Sequence, residues 1–566
     1  IIYFKLFHTY ITYNGFIIIN CTFTNNEVNW YNGGALEEYG NNGLMDNCIF
    51  TGCQADDHGG AALFKGDDIV IQNSHFINSE TDDDCGGALY LLDCNNFKII
   101  NTTFSNNTSP DDGGAVYATG SSLLIINSTF ENNDVDDNGG AIYTTGSALS
   151  VINSTFENNN ADDDAGSIYV NGANANIINS SFTNDVGDYG GSIYLNGNNN
   201  LICGCDFNFV KARDDGGAVY VDGDNCNITN SVFGGCHADD DAGAIFIEEN
   251  NCKVTNCTFT NDYAGDCGGA IECDGDKCSV SGSTFMSCVA TGDDGGAIMV
   301  YNADDFTLDK SAFANCRAGD DGGALFSNSH YDNTKVLNSL FINCTAADCG
   351  GALELDGDNA YVNNCTFVNG TAGDDGQSIY WGELNGKISN SKFFTPYPKD
   401  KVMYWAQSIS NFWGLFSSKK TGTITNCYYY GPKQYVVIPN SVLGGDFSVA
   451  VLPKVEGGLT VNDDGMRCIS YGSPVVAYVT LSENATGSVL FSLDNENWTP
   501  VKIVNGLARY EISGLNAGDY ILFIKYDGDE NNDPVFFQSP FCIKELATKV
   551  TVEPFSGKPG EKVTLR

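Results

Sequence analysis

Residues 130–170 read FENNDVDDNGGAIYTTGSALSVINSTFENNNADDDAGSIYV. Phe130 and Phe156 stand 26 residues apart in nearly the same text: N-x-[ST]-F, a polar turn, an acidic run, a small-residue pair, Ile-Tyr. The period extends outward in both directions. A Phe recurs at 23, 50, 76, 104, 130, 156, 182, 207, 233, 259, 285, 313, 341, 367 and 393, at spacings of 25 to 28 residues. Repetition at such a period marks a stacked-repeat architecture. Each unit holds three short strand-like runs split by Asn-, Asp- or Gly-rich turns, and no helical period survives in it.

Three strands and three turns per unit make one rung of a right-handed parallel β-helix, an all-β fold of about 15 rungs. At about 4.8 Å per rung this predicts a rod on the order of 70 Å long. Alternation after the Gly pair predicts that Ile142, Ile168, Ile193, Val219 and Ile245 face in. Tyr143, Tyr169, Tyr194, Tyr220 and Phe246 then face out, and the Phe residues form one internal column.

Composition agrees with an ordered, acidic rod. The 566 residues are 42% hydrophobic, enough for a core, and 27 basic against 72 acidic side chains give a net charge of −45. That balance excludes nucleic acid and anionic membrane surfaces as partners, since both require clustered Lys and Arg. No run of about 18 apolar residues occurs, so no membrane-spanning helix is expected. The apolar start lacks a Met and a basic region, does not read as an intact signal peptide, and the chain reads as a piece of something longer at both ends.

The text changes near residue 395, beyond which eleven of the 12 Pro residues lie. Residues 1–395 are expected to be the β-helix. Residues 396–445, rich in Tyr and Trp (Tyr397, Tyr404, Trp405, Trp413, Tyr428), are expected to cap or link its open end. Residues 446–546 alternate as in "GSVLFSLD" and "DYILFIKYDGD" and predict an Ig-like β-sandwich, with 547–566 beginning a second one.

The motifs Gly139-Gly140-Ala141-Ile142 and Phe130-Glu131-Asn132-Asn133 resemble the repeats of chlamydial polymorphic outer-membrane adhesins. Together with "GLNAGDYILFIKYDGDENN", the chain is most similar to the large adhesin-like surface proteins of methanogenic archaea. The resemblance covers nearly the whole chain. It implies an extracellular β-helix displayed at the cell surface on a stalk of Ig-like modules, with adhesion as its role.

In a repeat protein each position becomes a column. Two residues before the Gly pair stand Asp57, Asp84, Asp111, Asp137, Asp163, Asp188, Asp214, Asp240, Asp266, Asp293, Asp320, Asp348 and Asp374. The next position holds Asp112, Asp164, Asp215, Asp241, Asp294, Asp321 and Asp375, with His58, Cys85, Cys267 and Cys349 in other rungs. Carboxylates about 4.8 Å apart repel by about 1 kcal/mol in bulk water and about 3.5 kcal/mol at an effective dielectric near 20. A dozen such contacts would cost on the order of 10 kcal/mol, comparable to the stability of a domain. Structural Ca²⁺, which takes oxygen ligands from carboxylates and turn carbonyls, is one relief. Turn aspartates that bond backbone N–H groups, splay into water and are screened are the other.

Three further columns recur. Asn20, Asn47, Asn73, Asn101, Asn127, Asn153, Asn179, Asn230, Asn256, Asn338, Asn364 and Asn390 precede Phe by three and are expected to be a buried amide ladder. That leaves the off-column sequons at Asn107, Asn227, Asn369, Asn484 and Asn497 as the glycan sites. The 22 Cys fall into registers such as Cys21 and Cys48, or Cys226, Cys252 and Cys278, or Cys288, Cys316 and Cys344, where free small core residues are favoured over disulfides. Tyr90, Tyr117, Tyr143, Tyr169, Tyr194 and Tyr220 form an outward column that stabilises the sheet or meets sugars and protein partners.

Three functional classes follow. A non-catalytic surface adhesin contacting a glycan or protein of another cell is the first, and a filament or sheath subunit packing against copies of itself is the second. The third, a β-helix polysaccharide lyase or glycosidase, requires basic groups or a paired acid and base in a cleft. Only nine Lys or Arg lie between residues 14 and 380, of which only Lys211 and Arg213 are close, and no long insertion builds a cleft. The chain is therefore read as not an enzyme.

Overall fold

One turn of the chain shows how the repeat folds. Ile142–Thr144, Leu149–Ile152, Thr155–Glu157 and Asn160–Ala161 are strands. Each pairs in parallel with its counterpart one repeat on: Tyr143 with Tyr169, Val151 with Ile177, Phe156 with Phe182 and Asn160 with Val186. The computed structural model describes residues 8–394 except 30, 147, 329–332 and 383–385, and beyond them 402–405, 422–425, 427–430, 442–443, 447–450, 460–461, 467–470, 475–480, 485–495, 497–504, 507–529 and 535–544. Over the repeats it is a right-handed parallel β-helix of about 15 turns.

The rung has one more strand than periodicity predicts. Besides three long ladders of 16, 17 and 17 strands, a fourth ladder of 11 two-residue strands runs from Glu27–Val28 to Val289–Ala290. The Phe column is continuous. Phe23 to Phe393 pair rung by rung, with successive ring centroids 4.4–5.0 Å apart and planes nearly parallel. Ile142, Ile168, Ile193, Val219 and Ile245 are fully buried, as the alternation predicts.

The polar letters N-S and N-N that flank T-F-E each have a physical reason. Asn153 and Asn158 turn the corners at φ 51° and 55°, a left-handed conformation that Asn tolerates better than other L-residues. Ser154 Oγ accepts the N–H of Ser128 (3.2 Å) and donates to the Ile152 carbonyl (3.1 Å), so its buried hydroxyl is satisfied. Asn159 Oδ1 accepts the N–H of Asn133 (3.1 Å) while its Nδ2 donates to the Phe130 carbonyl (3.2 Å). The Gly pair divides its work. Gly139 adopts φ 71°, whereas a Cβ on Gly140 would lie 2.1 Å from the Gly166 carbonyl oxygen of the next rung.

The Asn column preceding Phe does not lie inside. Asn127, Asn153 and Asn179 are exposed, because a left-handed corner turns the side chain outward, although neighbours do form amide bonds such as Asn364 Nδ2 to Asn338 Oδ1 (2.9 Å). The glycan expectation is reversed at one site: Asn107 is fully buried, with Nδ2 donating to the Phe76 carbonyl and to Asn133 Oδ1. Asn484 lies outside the described residues.

Asn107 belongs to an internal polar column with Asn133, Asn159, Asp185, Cys236 and Asp262. Asp185 is satisfied by the Asn159 N–H (3.0 Å) and Ser192 Oγ (2.9 Å). Asp262 Oδ1 accepts the Cys236 N–H (2.9 Å), but its buried Oδ2 has no hydrogen-bond partner. Burial pushes its carboxyl well above the ordinary range. Asp262→Asn supplies the residue that Asn107, Asn133 and Asn159 place in this column and is expected to raise stability at pH 7 by about 1–3 kcal/mol in denaturant unfolding. A loss of stability would contradict this account of the column.

The ladders run on where composition changes. Met403–Trp405, Gly422–Thr425 and Cys427–Tyr430 pair in parallel with Ile379–Trp381, Gly386–Ser389 and Lys392–Phe394, and Phe447–Ala450 pairs with Cys427–Tyr430. The chain divides into compact units at 1–450 and 451–566. In the second unit, a six-stranded sheet, antiparallel except where Arg467–Ser470 meets Val535–Lys544, accompanies the antiparallel pair Val475–Thr480 and Leu507–Ile512. Val479 and Ala508 from the pair share one core with Phe491, Ile524 and Phe541 from the larger sheet. The expected second module at 547–566 lies outside the described residues.

Candidate functional site: the aspartate turn and the tyrosine face

The acidic turn leads into the strand that carries Tyr143 and its equivalents, so the Asp columns and the tyrosine face share one edge of the helix. The two Asp columns differ in what they do. The second is a backbone device: each side chain accepts the N–H of the same position one rung on. Asn138 Oδ1 takes the Asp164 N–H (3.2 Å), Asp215 the Asp241 N–H (3.0 Å), Asp241 the Cys267 N–H (2.8 Å), Asp294 the Asp321 N–H (2.9 Å) and Asp321 the Cys349 N–H (2.6 Å). These side chains are half-buried. Burial pushes Asp112 and Asp164 up to about 6, Asp215 to about 7 and Asp294 to about 8, while the accepted hydrogen bonds pull the other way.

The first column is wetter. Asp57, Asp137, Asp163, Asp240, Asp266, Asp293, Asp320, Asp348 and Asp374 are exposed, and Asp84, Asp111, Asp188 and Asp214 are half-exposed. Its backbone runs as a ladder, with the Asp266 N–H donating to the Asp240 carbonyl and the Asp293 N–H to the Asp266 carbonyl. Asp111, Asp137 and Asp240 sit above the usual carboxylate range, first through burial and then through the charges of their neighbours. The sparse basic residues meet these turns. Arg213 Nε bonds Asp188 Oδ1 at 2.7 Å and its Nη2 reaches Asp162, while Lys211 pairs with Asp239 (2.7 Å) and His58 with Asp84 (3.2 Å). Asp214, Asp215 and Asp240 bring carboxylate oxygens within 4.8 Å of one another.

Tyr90, Tyr117, Tyr143, Tyr169, Tyr194, Tyr220 and Phe246 stack in one column with centroids 4.8–5.1 Å apart. Tyr90 and Tyr220 are buried and the four between them half-buried, so ring faces cover one another. Tyr220 donates its hydroxyl proton to Glu248 Oε2 (2.9 Å), and Tyr189 packs edge-on against its ring.

Two residues in the same column were not singled out by sequence reasoning. Register carries Phe246 to Glu272, Met299, Phe326 and Glu354. Glu272 is 4% and Glu354 3% exposed, and each has an unpartnered Oε2. Burial drives Glu272 far above the ordinary carboxylate range and pushes Glu354 to about 10, with the surrounding Asp side chains adding to both shifts. The signal was a Glu in an aromatic column, in the two rungs that read DCGGA[IL]E.

The thiols are unbridged among the described residues. Several replace Ser: Cys48, Cys205, Cys257 and Cys365 share the register of Ser74 and Ser154, and Cys257 Sγ donates to the Thr255 carbonyl (3.5 Å) as Ser74 Oγ does to that of Gln72 (2.8 Å).

Four parallel ladders around a stacked aromatic core define a right-handed β-solenoid. A family model described as "Right handed beta helix region" matches residues 9–161 and 216–393, more than half of the chain, and the chain belongs to that family. Such helices occur in both enzymes and non-enzymes. No curated protein matches the chain significantly. Among solved structures, it is similar to a mannuronic acid specific polysaccharide family 6 lyase enzyme from human gut microbiota, with 11% identity and a TM-score of 0.33 over 78% of this chain and 87% of that one. That likeness is too slight to bear on activity.

Proposed function

We propose that the chain is a non-catalytic, extracellular adhesin-like protein, resembling the surface adhesins of methanogenic archaea, whose β-helix offers a repeating surface to a glycan or protein of another cell. The observation that carries this reading is the sameness of the surface. One aspartate turn recurs rung after rung, and beside it a tyrosine column runs from Tyr90 to Tyr220, with Arg213 and Lys211 held against Asp188 and Asp239. Repeated identical contacts favour avidity over a single deep site. The test is retention: beads coated with the full chain should hold cells or immobilised polysaccharide more strongly as coating density rises. Retention no greater than on beads coated with an unrelated acidic protein would overturn the reading.

Structural calcium along the first Asp column is part of the same proposal, and the oxygen-only group of Asp214, Asp215 and Asp240 is its best support. Calcium should raise the melting temperature above that in NaCl of matched ionic strength, since each site adds about 2.7 kcal/mol of stability at a hundredfold excess over the dissociation constant. Identical melting in EDTA and in salt-matched calcium would leave the column as solvated turn aspartates.

A further inference from the structure

The rungs Asp266–Asp276 (DCGGAIECDGD) and Asp348–Asp358 (DCGGALELDGD) share a motif that no other rung carries in full. In both, Cys takes the place of the second turn Asp, and Glu takes the outward position that most rungs give to Tyr, Phe, Leu or Met; Glu37 also stands there, but its Oε2 accepts from the Tyr39 hydroxyl. The first of these rungs is the better defined. The ligand atoms of Asp241, Cys267 and Glu272 lie within 4.8 Å of one another. Glu272 stands in register between Phe246 and Met299, shut off from solvent, with Oε2 unpartnered. Asp274, whose charge acts on Glu272, also has a buried and unpartnered Oδ1.

The motif returns three rungs later with a related grouping. Asp321, Asp348 and Cys349 lie within 4.8 Å, and Glu354 is buried in the register of Glu272, again with Oε2 unpartnered. Cys267, Met299 and Phe326 form an apolar cluster beside the first site. An isolated buried carboxylate costs several kcal/mol unless paired, hydrogen-bonded or bound to a metal. The aromatic or aliphatic side chains that fill most of this column would incur no such penalty.

We infer that these two turns are metal sites, each binding one divalent cation of borderline softness through the carboxylates of Asp241 and Glu272 and the thiolate of Cys267, or through Asp321, Glu354 and Cys349. Zinc fits this donor set, because it accepts thiolate and carboxylate together, whereas calcium and magnesium take oxygen alone. Asp274 is placed to complete the first site. The Cys267 sulfur also lies within 4.8 Å of exposed carboxylates on Asp266 and Asp293, but that outer group lacks a buried, unpartnered donor. Cys85 is the internal control: it sits between Asp84 and Asp111, but its rung carries Tyr90 in place of Glu.

The probe is Co²⁺, whose thiolate complexes absorb through sulfur-to-metal charge transfer. The full chain, stripped with chelator under reductant, should develop this band at about two ions per chain and lose it to excess zinc but not to calcium. Cys267→Ser and Cys349→Ser should each remove about half the band, the double variant all of it, and Cys85→Ser none. Glu272→Gln should also remove about half, while the metal-free protein melts no lower than the parent because a buried carboxyl with an unpartnered oxygen has gone. Absence of a cobalt–thiolate band, a band unchanged by Cys267→Ser and Cys349→Ser, a Glu272→Gln chain that binds like the parent, or displacement by calcium would each overturn the assignment.

Discussion

Gly140→Ala is expected to cost about 4 kcal/mol or more, placing it among the most damaging single substitutions, whereas Gly139→Ala is expected to cost about 1–2 kcal/mol. Gly139 is left-handed, and a Cβ there would lie 2.5 Å from the Ile142 carbonyl oxygen of its own turn, a contact that a local shift of one turn can relieve. The chain itself shows this at Ala165 and Ala242, both at φ 58° in the same column. Gly140 has no such latitude. Its Cβ would meet the carbonyl oxygens of Gly166 at 2.1 Å and Asn160 at 2.5 Å, both backbone atoms of the next rung. Relief requires the two rungs to part, which breaks ladder hydrogen bonds on several faces at once. The second position is Gly in every turn from Gly34 to Gly351 and changes at Gln377. Hydrogen exchange should show lost protection in the rungs flanking residue 140 in the first variant and retained protection in the second. Equal effects of the two substitutions would refute this division of labour.

The unit spanning residues 1–450 is expected to gain stability as pH falls from 8 toward 5, measured in chelator-containing buffer. Asp112, Asp164, Asp185, Asp215 and Asp294 are raised to about 6, 6, 7, 7 and 8, chiefly by burial. Unfolded Asp titrates near about 3.9. A group whose folded value is raised contributes stability that is full below its unfolded value and lost as pH rises through the folded one. The loss therefore falls in the window between about pH 4 and 8. One unit corresponds to about 1.4 kcal/mol, but the turn aspartates are only half-buried, and discounting for solvent leaves about 1 kcal/mol each and several in total. Protonation also reduces the net charge of −45, in the same direction. Changing Asp112, Asp164 and Asp215 to Asn, the residue Asn138 already supplies in this column, should flatten the dependence. A melting temperature that falls on acidification from pH 7 to 5 would contradict the account.

The helix was legible because its strongest determinants are strictly periodic. Phe130, Phe156 and Phe182 recur at one register, and the second Gly of each pair marks a close approach of rungs that leaves no room for a Cβ. The fourth strand was not legible, since two residues such as Asn160–Ala161 are too short to show alternation. The direction of the Asn column was misread because a left-handed corner at Asn153 breaks the alternation on which inward and outward are counted. The Asp columns were legible as columns, but their division into an N–H-accepting ladder and a wetter row depends on turn geometry. Glu272 and Glu354 were hidden by the logic of repeats, which treats an odd residue in a column as noise, although a carboxylate among stacked aromatics is the position where the chemistry changes.

The most direct test of the central claim, that this helix binds without cutting, is the chain length of uronate-containing and host-type polysaccharides incubated with the full protein in calcium and in zinc. The account predicts an unchanged length distribution and no new reducing or unsaturated ends. Shortened products that vanish when Lys211 and Arg213 are both changed to Ala would contradict it.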